Sequence, residues 1–332
     1  MPGWGDLLNE LRAELDQLPP DRHGPTLDAK RVDYLRKLRE KTGRPVFLYA
    51  TDWLSGGAPP DLTSITLEDI HGLMEVSRDV DESTLDIILH SPGGQAEATA
   101  AIIRYLRARF EDIRVFVPLA AMSAATMWAL AANRIVMGKH SQLGPIDPQL
   151  ITPQGAMPAR AVLDQFEKAR EAVASNPASV GAYLPMLQQY GPALLQMCEN
   201  AEALAERLVA DWLEAYMFAG RDNASDMARE TAHWFNDHQE HRSHQLGIGR
   251  DEARVHDVQI DDLEDDEEEQ DLVLTIFHMT SISLSQSPAV KLIENHLGRR
   301  FIKQVQVQQI QIPFVAPPPA APPPMGPVPP SS

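Results

Sequence analysis

Two short stretches carry the residues with chemistry to offer. "ILHSPGGQ" (88–95) runs an apolar segment into Ser91, Pro92, Gly93 and Gly94. About thirty residues later, "AAMSAATMWALAAN" (120–133) sets Ser123 among alanines ahead of a helix-like run. Glycines at the end of a strand expose backbone N–H groups to close approach by another chain. Such N–H groups can hold the oxyanion of an acyl-transfer reaction. The plainer reading of the same residues is a Pro-Gly-Gly turn. Ser123 stands at a strand-to-helix junction, where serine is a common N-cap. A nucleophile also suits that position, because the first N–H groups of the helix favour a developing anion. The alanines around it leave room for a substrate backbone. On the residues alone both readings stay open.

The elements that must position these residues follow from periodicity. "PVFLYA", "LDIILH", "IRVFVP" and "RIVMG" read as strands; "TLEDIHGLMEVSRDV", "EATAAIIRYLRARF" and "AATMWALAAN" read as the helices between them. Alternating strand and helix implies an α/β fold with a mostly parallel sheet. Residues 5–40 read as helices with a leucine stripe (Leu7, Leu8, Leu11, Leu15), either a docking arm or a face packed on its own domain. Residues 157–218 turn helical, and residues 224–250 are polar with four histidines. "LVLTIFHMTSISL" and "KQVQVQQIQI" read as strands flanking a helix "PAVKLIENHL". The expected organisation is a helical arm at 1–44, a domain at 45–312 and a disordered proline-rich tail at 313–332, which cannot build a core.

Composition removes several functions. The chain of 332 residues carries a net charge of -18, which argues against nucleic acid or an anionic membrane as partner. Half of that charge lies in "DDLEDDEEEQD" (261–271), which has nine acids and no base and reads as a solvated loop. Cys198 is the sole cysteine, so no intrachain disulfide or cysteine-based metal site forms. The first residues lack the pattern of a signal peptide, and no apolar run reaches the length of a membrane span. The expectation is a soluble, cytoplasmic protein without cofactor or metal.

Taken together, "SPGG", the serine in its small-residue turn, the alanine-rich helix and the following "LGPIDPQ" resemble the Clp-fold serine peptidases, which include Clp protease and signal peptide peptidase A. The string "AMSAATMWALAANRIVMGKHSQLGPIDPQL" is most similar to the serine dehydrogenase proteinase branch. Weaker likeness lies in "SHQLGIGRDEA" and "PAVKLIENHLGRRF". The resemblance covers about 45–310, most strongly 85–151. It implies a Clp/crotonase-like spiral of ββα units with an added helical region, a peptide or protein substrate and a homo-oligomer. It matches Ser123 to the nucleophile and the N–H groups of Gly94 and Ala124 to the oxyanion hole.

The base departs from the better-known relatives. Clp protease has a histidine where "LGPIDPQ" offers only Asp147, and signal peptide peptidases use a lysine where this chain has Arg160, a poor base. Three candidates remain: His244, in a stretch resembling the branch, and Lys139 and His140, which also read as an exposed turn. Asp147 is the candidate to orient His244, as the third member of a triad. His238 and His241 lie near His244, but the spacing of the three does not converge on a metal. The function expected is peptide hydrolysis through an acyl-enzyme. The alternatives are a crotonase-like acyl-CoA enzyme, which would not need Ser123, and a scaffold without a base.

Overall fold

The computed structural model describes residues 4–152, 155–187, 191 and 193–305. In chain order the strands are β1 (Val46–Thr51), β2 (Thr84–His90), β3 (Asp112–Val117), β4 (Ala120–Ala121), β5 (Arg134–Met137) and β6 (Gln142–Leu143). They continue as β7 (Gln149–Thr152), β8 (Gly155–Pro158), β9 (Ile248–Gly249), β10 (Ile260–Asp262), β11 (Ala289–Asn295) and β12 (Arg300–Gln304). Seven form the central sheet in the order β10-β5-β3-β2-β1-β11-β12. The pairs from β10 to β1 are parallel, and β11 joins β1 and β12 antiparallel.

Strand periodicity sorts the core into two faces. Phe47, Tyr49, Ile87, Leu89, Val115 and Val117 point to one side, against Ile102, Ile103 and Leu106 of the helix Ala96–Arg107 and the helix Ala124–Leu130. Val46, Leu48, Ala50, Ile88 and Phe116 point to the other, against Leu35, Leu38, Val273 and Ile276. A sheet covered on both faces explains why β1 is buried at all six positions and reads as a continuous apolar run. The mixed α/β architecture is as the sequence implies.

Three local expectations resolve differently, and one left open is decided. The run read as a strand, "LVLTIFHMTSISL", lies in the helix Glu267–Ser285. It is sandwiched between the sheet and the N-terminal helices, so its apolar residues surround the axis and the helical period is hidden. "PAVKLIENHL", read as a helix, contains β11, all of it buried. Its charges mislead: Lys291 and Glu294 are fully buried and paired inside the protein, whereas a helix reading assumes that charges face water. The acidic stretch 261–271 is no loop. It spans β10, a 3₁₀ turn Leu263–Asp265 and the first turn of the helix Glu267–Ser285, where Asp266 Oδ1 accepts the Glu269 N–H at 3.0 Å. Acids at a helix N-terminus complement its dipole, and Lys41, Arg114, Arg250 and Arg254 pair with this stretch. The N-terminal helices Trp4–Leu15 and Pro20–Thr42 pack on their own domain: Leu11, Leu15 and Leu27 meet Met279 and Ile282. The tail 313–332 lies outside the described residues.

Candidate active site

The serine and the glycine pair meet at the ends of β2 and β4. Ser91, the first residue beyond β2, bridges Ala121, with Ser91 N–H donating to Ala120 O and Met122 N–H to Ser91 O. The turns that follow each strand are thereby pressed together. A Cβ at Gly93 would stand 2.5 Å from Met122 O, 2.7 Å from Ser123 Cβ and 2.8 Å from Ala124 N, so only glycine fits against the serine turn. Gly93 also has φ +97°.

Ser123 has φ 53° and ψ -121°, a conformation that costs an L-residue about 1–3 kcal/mol. The N-cap reading of the sequence fails on this geometry: the Ser123 side chain makes no capping hydrogen bond to the helix Ala124–Leu130. The strained turn is held instead by the neighbouring hydroxyl. Thr126 Oγ1 donates to Ala121 O at 2.7 Å and accepts from Gly144 N–H at 2.9 Å.

The backbone donors sort themselves. Gly93 N–H donates to Ser91 Oγ at 3.2 Å. Among the described hydrogen bonds, neither Gly94 N–H nor Ala124 N–H is a donor. Ala124 is the first residue of its helix, where the N–H has no intrahelical acceptor. Gly94 is exposed and Ser123 half-buried.

A small sheet brings in the remaining candidates. β4, β6 and β9 lie side by side, β4 parallel to β6 and β6 antiparallel to β9. Ser123 follows β4, Asp147 follows β6 and His244 precedes β9, so three distant segments leave one short sheet together. His244 Nδ1 lies 2.6 Å from Asp147 Oδ1. A second histidine, His238, places its Nδ1 3.0 Å from Asp147 Oδ2, and Gln149 Nε2 donates to the same oxygen at 2.9 Å. Asp147 is 2% exposed, and three donors offset its loss of water. A carboxylate accepts, so each Nδ1 carries the hydrogen, and in the neutral ring Nε2 is the nitrogen with the lone pair. Among the described residues, Ser123 Oγ is hydrogen-bonded to neither histidine.

The other candidates lie apart. His140 Nε2 contacts Pro118 O at 3.0 Å and lines a cavity of about 380 Å³ with His90 and His278. Lys139 is exposed, its N–H donating to Glu264 at 2.9 Å. Arg160 pairs with Asp164 and Glu202. His241 is buried against Trp234, its Nε2 2.8 Å from Trp234 O. Sequence reasoning missed His238 as a partner of Asp147, and no local pattern announces it. A large concavity of about 1230 Å³ touches this cluster at His238 and does not include Ser123. The strained serine turn, not cavity size, locates the candidate site.

His90, the last residue of β2, is buried beside this turn, its Nδ1 3.1 Å from Ala120 O. Burial lowers its pKa from the ordinary 6.5 to about 4. The unfolded chain takes up this proton below about 6.5 and the folded one does not until about 4. Stability from this group is therefore complete above 6.5 and lost between 6.5 and 4, by an amount on the order of 3 kcal/mol. Burial also lowers His256, His278 and His296, which act in the same direction. Urea midpoints at pH 7 and 4.5 should show the drop, smaller in His90→Gln than in the wild type. An equal drop in both would exclude His90 as a contributor.

With this geometry in hand, comparison with known proteins gives the class the chain is similar to, the ClpP-like serine proteinases. The profile of the ClpP-like SDH-type serine proteinases matches residues 18–180, about half of the chain, a span that includes Gly94, Ser123 and Asp147 and ends before His238 and His244. Two uncharacterized proteins of Methanocaldococcus jannaschii are similar. One is 30% identical over 179 residues, covering 50% of this chain and 61% of its own length. The other is 31% identical over 150 residues, covering 44% and 50%. The chain thus spans less than two thirds of the curated relatives it matches. Two solved structures of the 1510-N membrane-bound stomatin-specific protease also match. A variant in complex with a substrate peptide has 19% identity and TM-score 0.37, covering 62% of this chain and 74% of that one. A serine-to-alanine variant has 15% identity and TM-score 0.35, covering 68% and 82%. No helix among the described residues is long and apolar enough to cross a membrane.

Proposed function

We propose that this protein is a serine peptidase that cuts peptide bonds through an acyl-enzyme on Ser123. The observation that carries the reading is the His244–Asp147 hydrogen bond, held on segments that the small sheet gathers beside the serine turn. Ser123 Oγ attacks the peptide carbonyl carbon while its proton passes to His244 Nε2. The oxyanion is held by the N–H groups of Gly94 and Ala124. His244 then gives the proton to the leaving amine as the C–N bond breaks. Water, deprotonated by the same nitrogen, attacks the ester and releases Ser123. Asp147 fixes the tautomer that leaves Nε2 free and stabilises the imidazolium between these steps. The apo distance between serine and base tightens when substrate fills the turn, as catalytic contacts commonly do.

A fluorophosphonate probe tests the reading at the atom it concerns. Intact mass and peptide mapping should show one adduct, on Ser123. Absence of labelling, or labelling elsewhere, would turn the reading toward an acyl-CoA enzyme or a scaffold, neither of which needs an activated serine.

A further inference from the structure

We propose that Lys291 is a positioning residue for the oxyanion hole, acting through Asp69 and the segment 64–66. The inference rests on the reading of Gly94 as an oxyanion donor.

Lys291 and Asp69 are both fully buried, on β11 and at the start of the helix Asp69–Val76. Lys291 Nζ donates to Asp69 Oδ1 at 2.7 Å, to Oδ2 at 2.8 Å and to Ser64 O at 2.8 Å. Asp69 Oδ2 also accepts Tyr49 O–H at 2.8 Å and Thr66 N–H at 2.9 Å. The ion pair thus grips the chain on both sides of Ile65. Ile65 in turn brackets the glycine turn: its N–H donates to Gly93 O at 2.7 Å, and its carbonyl accepts Gln95 N–H at 3.0 Å. Between these two bonds lies Gly94. A Cβ there would stand 2.4 Å from both Ile65 N and Ile65 O, so the two backbones lie flush.

Apolar residues of similar volume often replace a buried ion pair without loss of stability. Packing alone therefore does not require Lys291 and Asp69. What the pair adds is direction: three donors and a carboxylate fix segment 64–66 against β1 and β11, and that segment fixes the Gly94 amide. A donor of an oxyanion hole must be held in place before charge develops.

Lys291→Met alone leaves a lone buried carboxylate and risks unfolding. Lys291→Met combined with Asp69→Asn removes both charges and keeps an acceptor for Thr66 and Tyr49. Circular dichroism and thermal melting establish that the double variant is folded. Its fluorophosphonate labelling rate should fall at least roughly tenfold, toward the 10²–10³ that loss of one donor costs. For peptide substrate, kcat should fall with KM little changed. Amide hydrogen exchange reads the positioning directly: Ile65 and Gln95 should lose protection at least tenfold while the β2 and β3 amides do not. A folded double variant with wild-type labelling rate and wild-type protection at Ile65 and Gln95 overturns the proposal. If the wild type itself is not labelled, the peptidase reading has failed. Hydrogen exchange then still decides whether Lys291 holds the glycine turn.

Discussion

Ser123→Ala should abolish peptide hydrolysis, by roughly 10⁴-fold or more, and leave the fold in place. Loss of the nucleophile of a serine triad leaves only the modest acceleration of binding and the oxyanion hole. The substitution removes one oxygen from a turn already bounded by Met122, Ala124 and Ala125. Ser123 Oγ caps no helix, so nothing structural is lost with it. The positive φ remains as unfavourable for alanine as for serine, so the melting temperature should change little. The measurement is hydrolysis of a casein or quenched-peptide substrate by both proteins after matched melting curves. Peptidase activity surviving in purified, folded Ser123→Ala would remove Ser123 from the reaction.

His244→Ala should lower kcat by a factor on the order of 10² or more, the usual contribution of a positioned general base. Two histidines share Asp147, which makes the comparison informative. His244 precedes β9, the strand paired to β6, and so travels with the serine turn through the small sheet. His238 lies on the wall of the large concavity, which does not include Ser123, and its bond to Asp147 is expected to orient the carboxylate. His238→Ala should therefore cost about tenfold or less, and Asp147→Asn should approach the loss seen in His244→Ala. A protonated imidazole cannot accept the serine proton, so wild-type kcat/KM should fall on the acid side and His244→Ala should lack that limb. Lys139→Ala and His140→Ala should act weakly, since the Lys139 backbone N–H is bonded to Glu264 and the His140 ring to Pro118 O. If His238→Ala shows the large loss and His244→Ala does not, the two histidines exchange roles. If neither matters while Ser123 does, the base lies elsewhere.

The fold and half of the candidate site were legible because they are local in sequence. Strand runs such as "LDIILH" and "IRVFVP" report burial on both faces of a sheet, and burial of that kind leaves no polar alternation to misread. "SPGG" and the alanine-rich serine turn need no partner to be recognised, because close backbone approach itself demands glycine and alanine there. Errors fell where charges are buried. Lys291 and Glu294 in β11 have the pattern of an amphipathic helix, and only the arrival of Asp69 and Arg31 from distant segments lets a strand carry them. The helix Glu267–Ser285 was missed for the complementary reason, being enclosed on all sides.

By itself the sequence determined the α/β class, the glycine and serine turns and the short set of histidines and lysine able to act as base. Tertiary structure alone decided which of those residues meet. Asp147 is 97 residues from His244 and 91 from His238 in the chain, separations at which no spacing rule operates. The contact is set by the register of β4, β6 and β9, two-residue strands whose pairing has no signature in composition or period. Hydrogen-bond geometry between such segments is a property of the packed sheet, because it depends on where the long elements around it come to rest.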